Sequence, residues 1–323
     1  MRTLERTEGW RPGDDPGPLR ERLVADGYLY LPGFLDPAEV LAVQRELRAV
    51  LAEVGWLADA DSLRVGADDL RFTAESFATV YPAVQRVESF HRLGCHPELA
   101  ALTGALLAGP VFCHPARVLR LAPPTAADGG YFTRAHQDFV VQHVTTDALT
   151  LWLPLADCTA RRQGLRVLPG SHWNGYLPTD ASVGGARPLY LDVPWDHPDW
   201  ATADFRPGDL VVFHSLTVHG GGPNTSDQLR LSADIRYQRH DDPMRAEWTH
   251  PHGWPRTPDW PELTGDWSSR AWIEVPPEVP LVPLPTGVPY ADILRDLHAP
   301  PSRLLATAGA GHPDQGTRDD PDE

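Results

Sequence analysis

The chain contains no lysine: all 28 of its basic residues are arginines. Schiff-base catalysis, pyridoxal phosphate attachment and a P-loop all need a lysine amine, so those enzyme classes are excluded. Cysteine is scarce as well. Cys95, Cys113 and Cys158 are odd in number and lack C-x-x-C spacing, which points to reduced core thiols rather than disulfides or zinc. No apolar run is long enough to cross a membrane, and Met1 to Pro18 is polar and acidic without the apolar centre of a signal peptide. A soluble, cytoplasmic protein is expected. Positive charge is also short: 28 basic residues face 44 acidic ones, for a net charge of −16, which leaves no electrostatic footprint for nucleic acid or anionic membrane. There is no internal repeat.

What is present can fill a sizeable core. With 323 residues and 41% apolar content, one catalytic domain over residues 19–300 with elaborations is expected, flanked by disordered ends at 1–18 and 306–323. A helix is predicted over Leu19–Ala25, stopped by Asp26-Gly27, and a strand over Tyr28–Leu31. Asp36-Pro37-Ala38-Glu39 starts a second helix, with Asp as N-cap and Pro in the first turn. Its apolar residues from Val40 to Val54 recur at helical spacing. Another helix is predicted over Pro97–Ala108. From Val111 the pattern becomes strands: Val111–Leu121, Tyr131–His143, Leu149–Leu155, Leu165–Leu168, Asp209–His214 and Leu229–Gln238. A helical front end followed by short strands suggests an α+β chain built on an antiparallel double-stranded β-helix, or jelly roll. Two segments interrupt it, 173–206 and 241–285. Both are rich in tryptophan, whose large burial areas argue against floppy linkers, and they either pack the barrel's open ends or form a substrate lid.

The chemistry concentrates in Ala135-His136-Gln137-Asp138-Phe139. On a strand, His136 and Asp138 would share a face, and a second imidazole, His219, would complete two histidines and one carboxylate. That facial triad, with open positions opposite, suits non-haem Fe(II). The turn formers of Gly220–Asp227 read as a hairpin that returns a strand carrying Arg230 and Ser232 beside His219. Arginine grips a carboxylate by two parallel hydrogen bonds, so Arg230 fits the far end of a metal-bound dicarboxylate. Arg134, two before His136, is expected on the ligand face, either holding a substrate anion or marking the barrel rim. His214 and the histidines at 91, 96, 114, 143 and 172 are assigned to structure.

These residues resemble the phytanoyl-CoA dioxygenase family of Fe(II)/2-oxoglutarate oxygenases, with H-x-D, a distal His and an Arg about eleven residues on. Gln163-Gly164-Leu165-Arg166-Val167-Leu168-Pro169-Gly170-Ser171-His172, Pro207–His214 and the opening Asp26–Leu35 agree in order and spacing. The resemblance runs from about Leu19 to His240. It implies Fe(II) held by His136, Asp138 and His219, 2-oxoglutarate bound by Arg230 and Ser232 with Trp152 lining its pocket, and O2 as oxidant. The implied reaction oxidises an unactivated C–H bond of a small molecule, by default hydroxylation in natural-product tailoring. Ring closure, desaturation, epimerisation or acetal formation use the same chemistry. Asp138 disfavours the halogenase variant, which has Gly or Ala at that position. A cupin-like isomerase or lyase independent of 2-oxoglutarate, and an inactive binding relative, are the alternatives.

Overall fold

Polar and apolar residues alternate along Arg230–Arg239, and the fold is organised by the two faces this makes. The computed structural model describes all residues except 8, 68–69, 71–72, 125–132, 160–161, 180–189 and 308–323. Leu231, Ala233, Ile235 and Tyr237 enter the main hydrophobic core. Arg230, Ser232, Asp234, Arg236 and Gln238 have the opposite parity and are also buried, so they face a second, polar interior.

In chain order the elements that place the site are β1 (Arg2–Thr3), α1 (Gly17–Asp26), β2 (Tyr28–Leu31), α2 (Pro37–Glu53), α3 (Ala74–Gln85), α4 (Glu88–Gly94), α5 (Pro97–Leu107), β3 (Val111–Cys113), β4 (Val118–Ala122), α6 (Phe139–Gln142), β5 (Leu149–Pro154), β6 (Leu165–Val167), β7 (Ala201–Thr202), β8 (Leu210–His214), β9 (His219–Gly221) and β10 (Arg230–Arg239). A six-stranded antiparallel sheet runs β2-β8-β5-β10-β3, with β4 paired to the first half of β10. A smaller sheet runs β1-β7-β6-β9. The helices cover one face of the large sheet: Leu23, Val40, Leu47, Val80, Phe90 and Leu102 share a core with Leu29, Leu151, Val212 and Ile235. On its other face Tyr30, Trp152 and Phe213 pack against Leu165, Val167 and Phe205. The architecture is mixed α+β, with two sheets enclosing the polar face of β10.

Local chemistry explains the element ends. The Asp36 side chain accepts from the Ala38 amide, and Pro37 and Glu39 occupy the first turn of α2, as expected. Gly27 ends α1 in the left-handed region, at φ 78°. A Cβ there would meet the His172 ring at 2.4 Å and the Thr217 hydroxyl at 2.8 Å, so glycine is required twice over. The single strand predicted over Val111–Leu121 is two, because Pro115 between them cannot donate to the ladder. Helix α3 escaped the sequence reading because Pro82 lies inside it and reads as a breaker.

Four expectations need correction. Residues 1–18 are not a frayed end, since Arg2–Thr3 pair in parallel with Ala201–Thr202 and Leu4 and Trp10 are buried. The predicted strand Tyr131–His143 begins outside the described residues. Within them His136 forms only an isolated bridge to His219, Asp138 has helical dihedrals (φ −64°, ψ −25°), and Phe139–Gln142 is helical. Gly220–Asp227 is not a hairpin either: β9 belongs to the small sheet and β10 to the large one, and the chain crosses between them. Buried Asn224 holds that crossover by donating to the carbonyls of Ala122 and Gln228 at 2.9 and 2.6 Å. Near the C-terminus the expected tail begins inside a short helix, Arg303–Ala306, while 308–323 lie outside the described residues. The tryptophans of the two interrupting segments are largely anchored. Trp200 is buried with Ala135 and Val218, and Trp248, Trp260 and Trp272 donate their indole N–H to Val141, Thr249 and Glu88.

Candidate active site

Two histidines meet across a backbone bridge at the mouth of the small sheet. The amides and carbonyls of His136 and His219 exchange both hydrogen bonds, at 2.9 and 3.0 Å, which brings the ring centroids to 4.1 Å. Each ring is fixed in one tautomer. His136 Nδ1 donates to the Arg134 carbonyl at 2.8 Å, and His219 Nδ1 donates to the Thr217 carbonyl at 3.0 Å, so both Nε2 atoms present lone pairs. Both rings are buried, and burial is the main force lowering their pKa values, that of His136 to about 3. They are neutral bases at ordinary pH.

Asp138 completes the set. Its turn at the start of α6, rather than strand alternation, aims the carboxylate at the imidazoles, with Oδ1 3.7 Å from His136 Nε2 and 3.8 Å from His219 Nε2. One ligand atom from each of the three lies within 4.8 Å of the others. Burial alone would raise this carboxyl's pKa, but Arg236, His219 and His136 together hold it well below the usual range, so it is anionic. Arg236 grips both oxygens, Nη2 to Oδ1 at 2.9 Å and Nε to Oδ2 at 3.1 Å, and the Thr150 hydroxyl donates to Oδ2 at 2.5 Å. Two neutral imidazoles and one oriented carboxylate oxygen fit a divalent iron.

The cavity beside the triad is lined from both sheets: His136, His219, Leu165 and Gly220 on one side, and Trp152, Arg230, Ser232, Asp234 and Arg120 on the other. Arg230, Ser232 and Trp152 line the same cavity as His136 and His219. Arg230 Nη1 is held by the carbonyls of Arg162, Gln163 and Gly222. The cavity is about 20 Å³, the room of roughly one water. Arg134 is exposed and absent from the lining. Without a strand the parity argument does not apply to it, and its carbonyl accepts from His136 Nδ1. His214 is fully buried, 3.8 Å from Asp147, and stays apart from the triad.

Sequence reading missed Arg236, Thr150, Asp234 and Arg120. The first three were legible in principle, since Asp234 and Arg236 share the parity of Arg230 and Ser232, and Thr150 that of Trp152. Arg120 joins them through β4, where Nε donates to Asp234 Oδ2 at 2.7 Å. Tyr190, edge-on to His136 with centroids 6.1 Å apart, carried no signal.

Comparison with known proteins agrees with this geometry. The phytanoyl-CoA dioxygenase (PhyH) family model matches residues 23–232, well over half of the chain. The 1-deoxypentalenic acid 11-beta-hydroxylase of Streptomyces arenae is 27% identical over 227 residues, covering 66% of this chain and 77% of the relative. The methylphosphonate hydroxylase of Gimesia maris is 26% identical, covering 65% and 76%. Among solved structures, the epimerase SnoN in complex with Fe3+, alpha ketoglutarate and nogalamycin RO is 26% identical with a TM-score of 0.50, covering 70% of this chain and 84% of that one. The chain belongs to the phytanoyl-CoA dioxygenase family and is an Fe(II)- and 2-oxoglutarate-dependent oxidoreductase.

Proposed function

We propose that His136, Asp138 and His219 hold the iron, that Arg230 with Ser232 and the Trp152 wall binds 2-oxoglutarate, and that the enzyme hydroxylates an unactivated C–H bond of a small natural product. The observation that carries this is the commitment of the surrounding hydrogen bonds. Both Nδ1 atoms serve carbonyls, Oδ2 accepts from Thr150 and Arg236, and Oδ1 accepts from Arg236 alone, so the atoms facing one point are two Nε2 and the less committed Oδ1. Iron, when bound with 2-oxoglutarate and O2, supplies the oxidising power for C–H cleavage. The chain's own groups do the rest. The imidazoles stay neutral, Arg236 fixes the carboxylate, and Phe213, with its ring 4.3 Å from that of His219, keeps water from that flank. Arg230 supplies a fixed positive charge for a distal carboxylate. The enclosing sheets are read as a double-stranded β-helix.

The relatives named above favour a small-molecule substrate, and their names cover both hydroxylation and epimerisation. Pooled metabolites incubated with the iron-loaded protein, 2-oxoglutarate and O2 test the reading. Stoichiometric release of succinate with a product one oxygen heavier supports hydroxylation, and an isomeric product of unchanged mass moves epimerisation ahead. Substrate turnover without 2-oxoglutarate would favour a cupin-like isomerase or lyase instead.

A further inference from the structure

Away from the triad, another buried guanidinium, unlike that of Arg236, meets no carboxylate among the described residues. Arg117, in the bend between β3 and β4, is fully buried. Its Nε donates to Cys113 Sγ at 3.1 Å, while Nη2 donates to Cys95 Sγ at 3.0 Å and to the Trp272 carbonyl at 2.6 Å. Nη1 donates to His91 Nδ1 at 3.2 Å. Because His91 accepts there, its proton sits on Nε2, which donates to the Gln85 carbonyl at 3.1 Å, and the ring is neutral. The Tyr237 hydroxyl donates to the Gly94 carbonyl at 2.7 Å, and burial pushes its pKa up, so it remains a phenol. The anionic candidates around Arg117 are thus the two cysteines.

An arginine cannot shed its proton, and a buried charge left unpaired is costly. The Nε and Nη2 fork ordinarily grips the two oxygens of a carboxylate. Here two sulfurs occupy those two positions. We propose that Cys95 and Cys113 together carry one negative charge as the counter-ion of Arg117, and that Cys95 is a modification site for peroxides.

Cys95, rather than Cys113, is the attacking sulfur because it lines a cavity of about 460 Å³ together with Glu39, Glu46, Arg92, His96 and Trp272, whereas Cys113 is buried. The two carboxylates oppose an anion there, but Glu39 is paired with His96 at 2.9 Å and Glu46 accepts from Ser89 at 2.7 Å. Its neighbour Cys113, followed by Arg117, holds the Cys95 pKa at about 6 against its burial. Burial, and then the neighbouring Cys95, push that of Cys113 up. The reaction is a two-step oxidation. The Cys95 thiolate attacks the peroxide, forming S–O as O–O breaks, and the departing oxygen leaves as water after taking a proton from solvent. The Cys113 thiol then displaces the sulfenic hydroxyl, forming S–S as S–O breaks, with its proton leaving in a second water. Two thiols and one hydrogen peroxide give one disulfide and two waters.

The test reads thiolate ultraviolet absorbance of the full-length protein against pH. At about pH 7 an ordinary thiol of pKa about 8.5 is about 3% ionised and one of pKa about 6 about 90%, a difference of about 30-fold. Alkylation rates report this poorly, since a less basic thiolate is less nucleophilic and the net gain is only about two- to threefold. One sulfur's worth of thiolate with a midpoint near pH 6, absent from Cys95→Asp and retained in Cys158→Ala, is expected. Cys95→Asp supplies a carboxylate to Arg117 and keeps the thermal midpoint above that of Cys95→Ala. One equivalent of hydrogen peroxide should link Cys95 to Cys113 in peptide maps while Cys158 stays free. Absence of thiolate below about pH 7.5, a thiolate that persists in Cys95→Asp, or peroxide leaving both cysteines as thiols overturns the proposal.

Discussion

Arg236 and Asp138 form a two-point ion pair between the sheets, Nη2 to Oδ1 at 2.9 Å and Nε to Oδ2 at 3.1 Å, with both side chains about 2% exposed. Since Oδ2 also accepts from Thr150, the pair leaves Oδ1 as the oxygen that faces the two imidazoles. Partners of metal ligands typically contribute about 10- to 100-fold to affinity. Arg236→Met should therefore weaken Fe(II) binding by that range, and Thr150→Val by less, as measured by competition with a chromophoric chelator. Equal affinity in Arg236→Met would show that Asp138 needs no orientation.

Asp138→Gly should abolish hydroxylation. It also strands Arg236, a buried charge whose loss of partner costs about 3 to 5 kcal/mol. Its thermal midpoint should fall well below that of wild type and recover part of the loss in chloride, a small anion able to occupy the vacated space, but not in a bulky-anion salt of equal ionic strength. Retained hydroxylation would remove the carboxylate from the metal site.

These two residues also mark how far the sequence is legible. The H-x-D pair, His219 and Arg230 were readable because order and spacing survive any local conformation. How they converge was not. Asp138 reaches the imidazoles through a helical turn at the start of α6 and Arg230 through a crossover between sheets, whereas alternation and turn composition suggested one strand and one hairpin. Turn formers such as Gly220–Asp227 serve a hairpin and a sheet-to-sheet crossover equally well. The α2 cap and the strand Tyr28–Leu31 were legible because Asp-Pro-x-Glu and a short apolar run act locally, while α3 was hidden by Pro82.

Arg230→Ala should weaken 2-oxoglutarate binding by roughly 30-fold to several thousand-fold, the equivalent of about 2 to 5 kcal/mol for truncating one partner of a buried charge pair. Ser232→Ala removes a hydrogen bond of about 0.5 to 1.5 kcal/mol and should cost about tenfold or less. Iron affinity should survive both changes. Calorimetric titration of each variant checks the ratio, and wild-type 2-oxoglutarate affinity in Arg230→Ala would remove this residue from the cosubstrate site.

Acid should destabilise the fold through buried histidines. Burial lowers the pKa of His114 to about 3 and of His172 to about 4. Each binds a proton in the unfolded chain near pH 6.5 that the folded protein refuses. Stability is therefore fully present above about pH 6.5 and lost as pH falls toward the folded values, by up to about 1.4 kcal/mol per pH unit for each histidine. Urea unfolding of the metal-free protein between about pH 5 and 7 should show this slope, flattened by about one proton in His114→Gln. An unchanged slope would mean that His114 titrates alike in both states.

The central claim is that one iron sits among His136, Asp138 and His219, and anaerobic titration of Fe(II) in the presence of 2-oxoglutarate tests it most directly. The expected result is a weak visible charge-transfer band that saturates at one iron per chain and is absent in His136→Ala and in His219→Ala. A band of wild-type intensity in either variant would contradict the assignment.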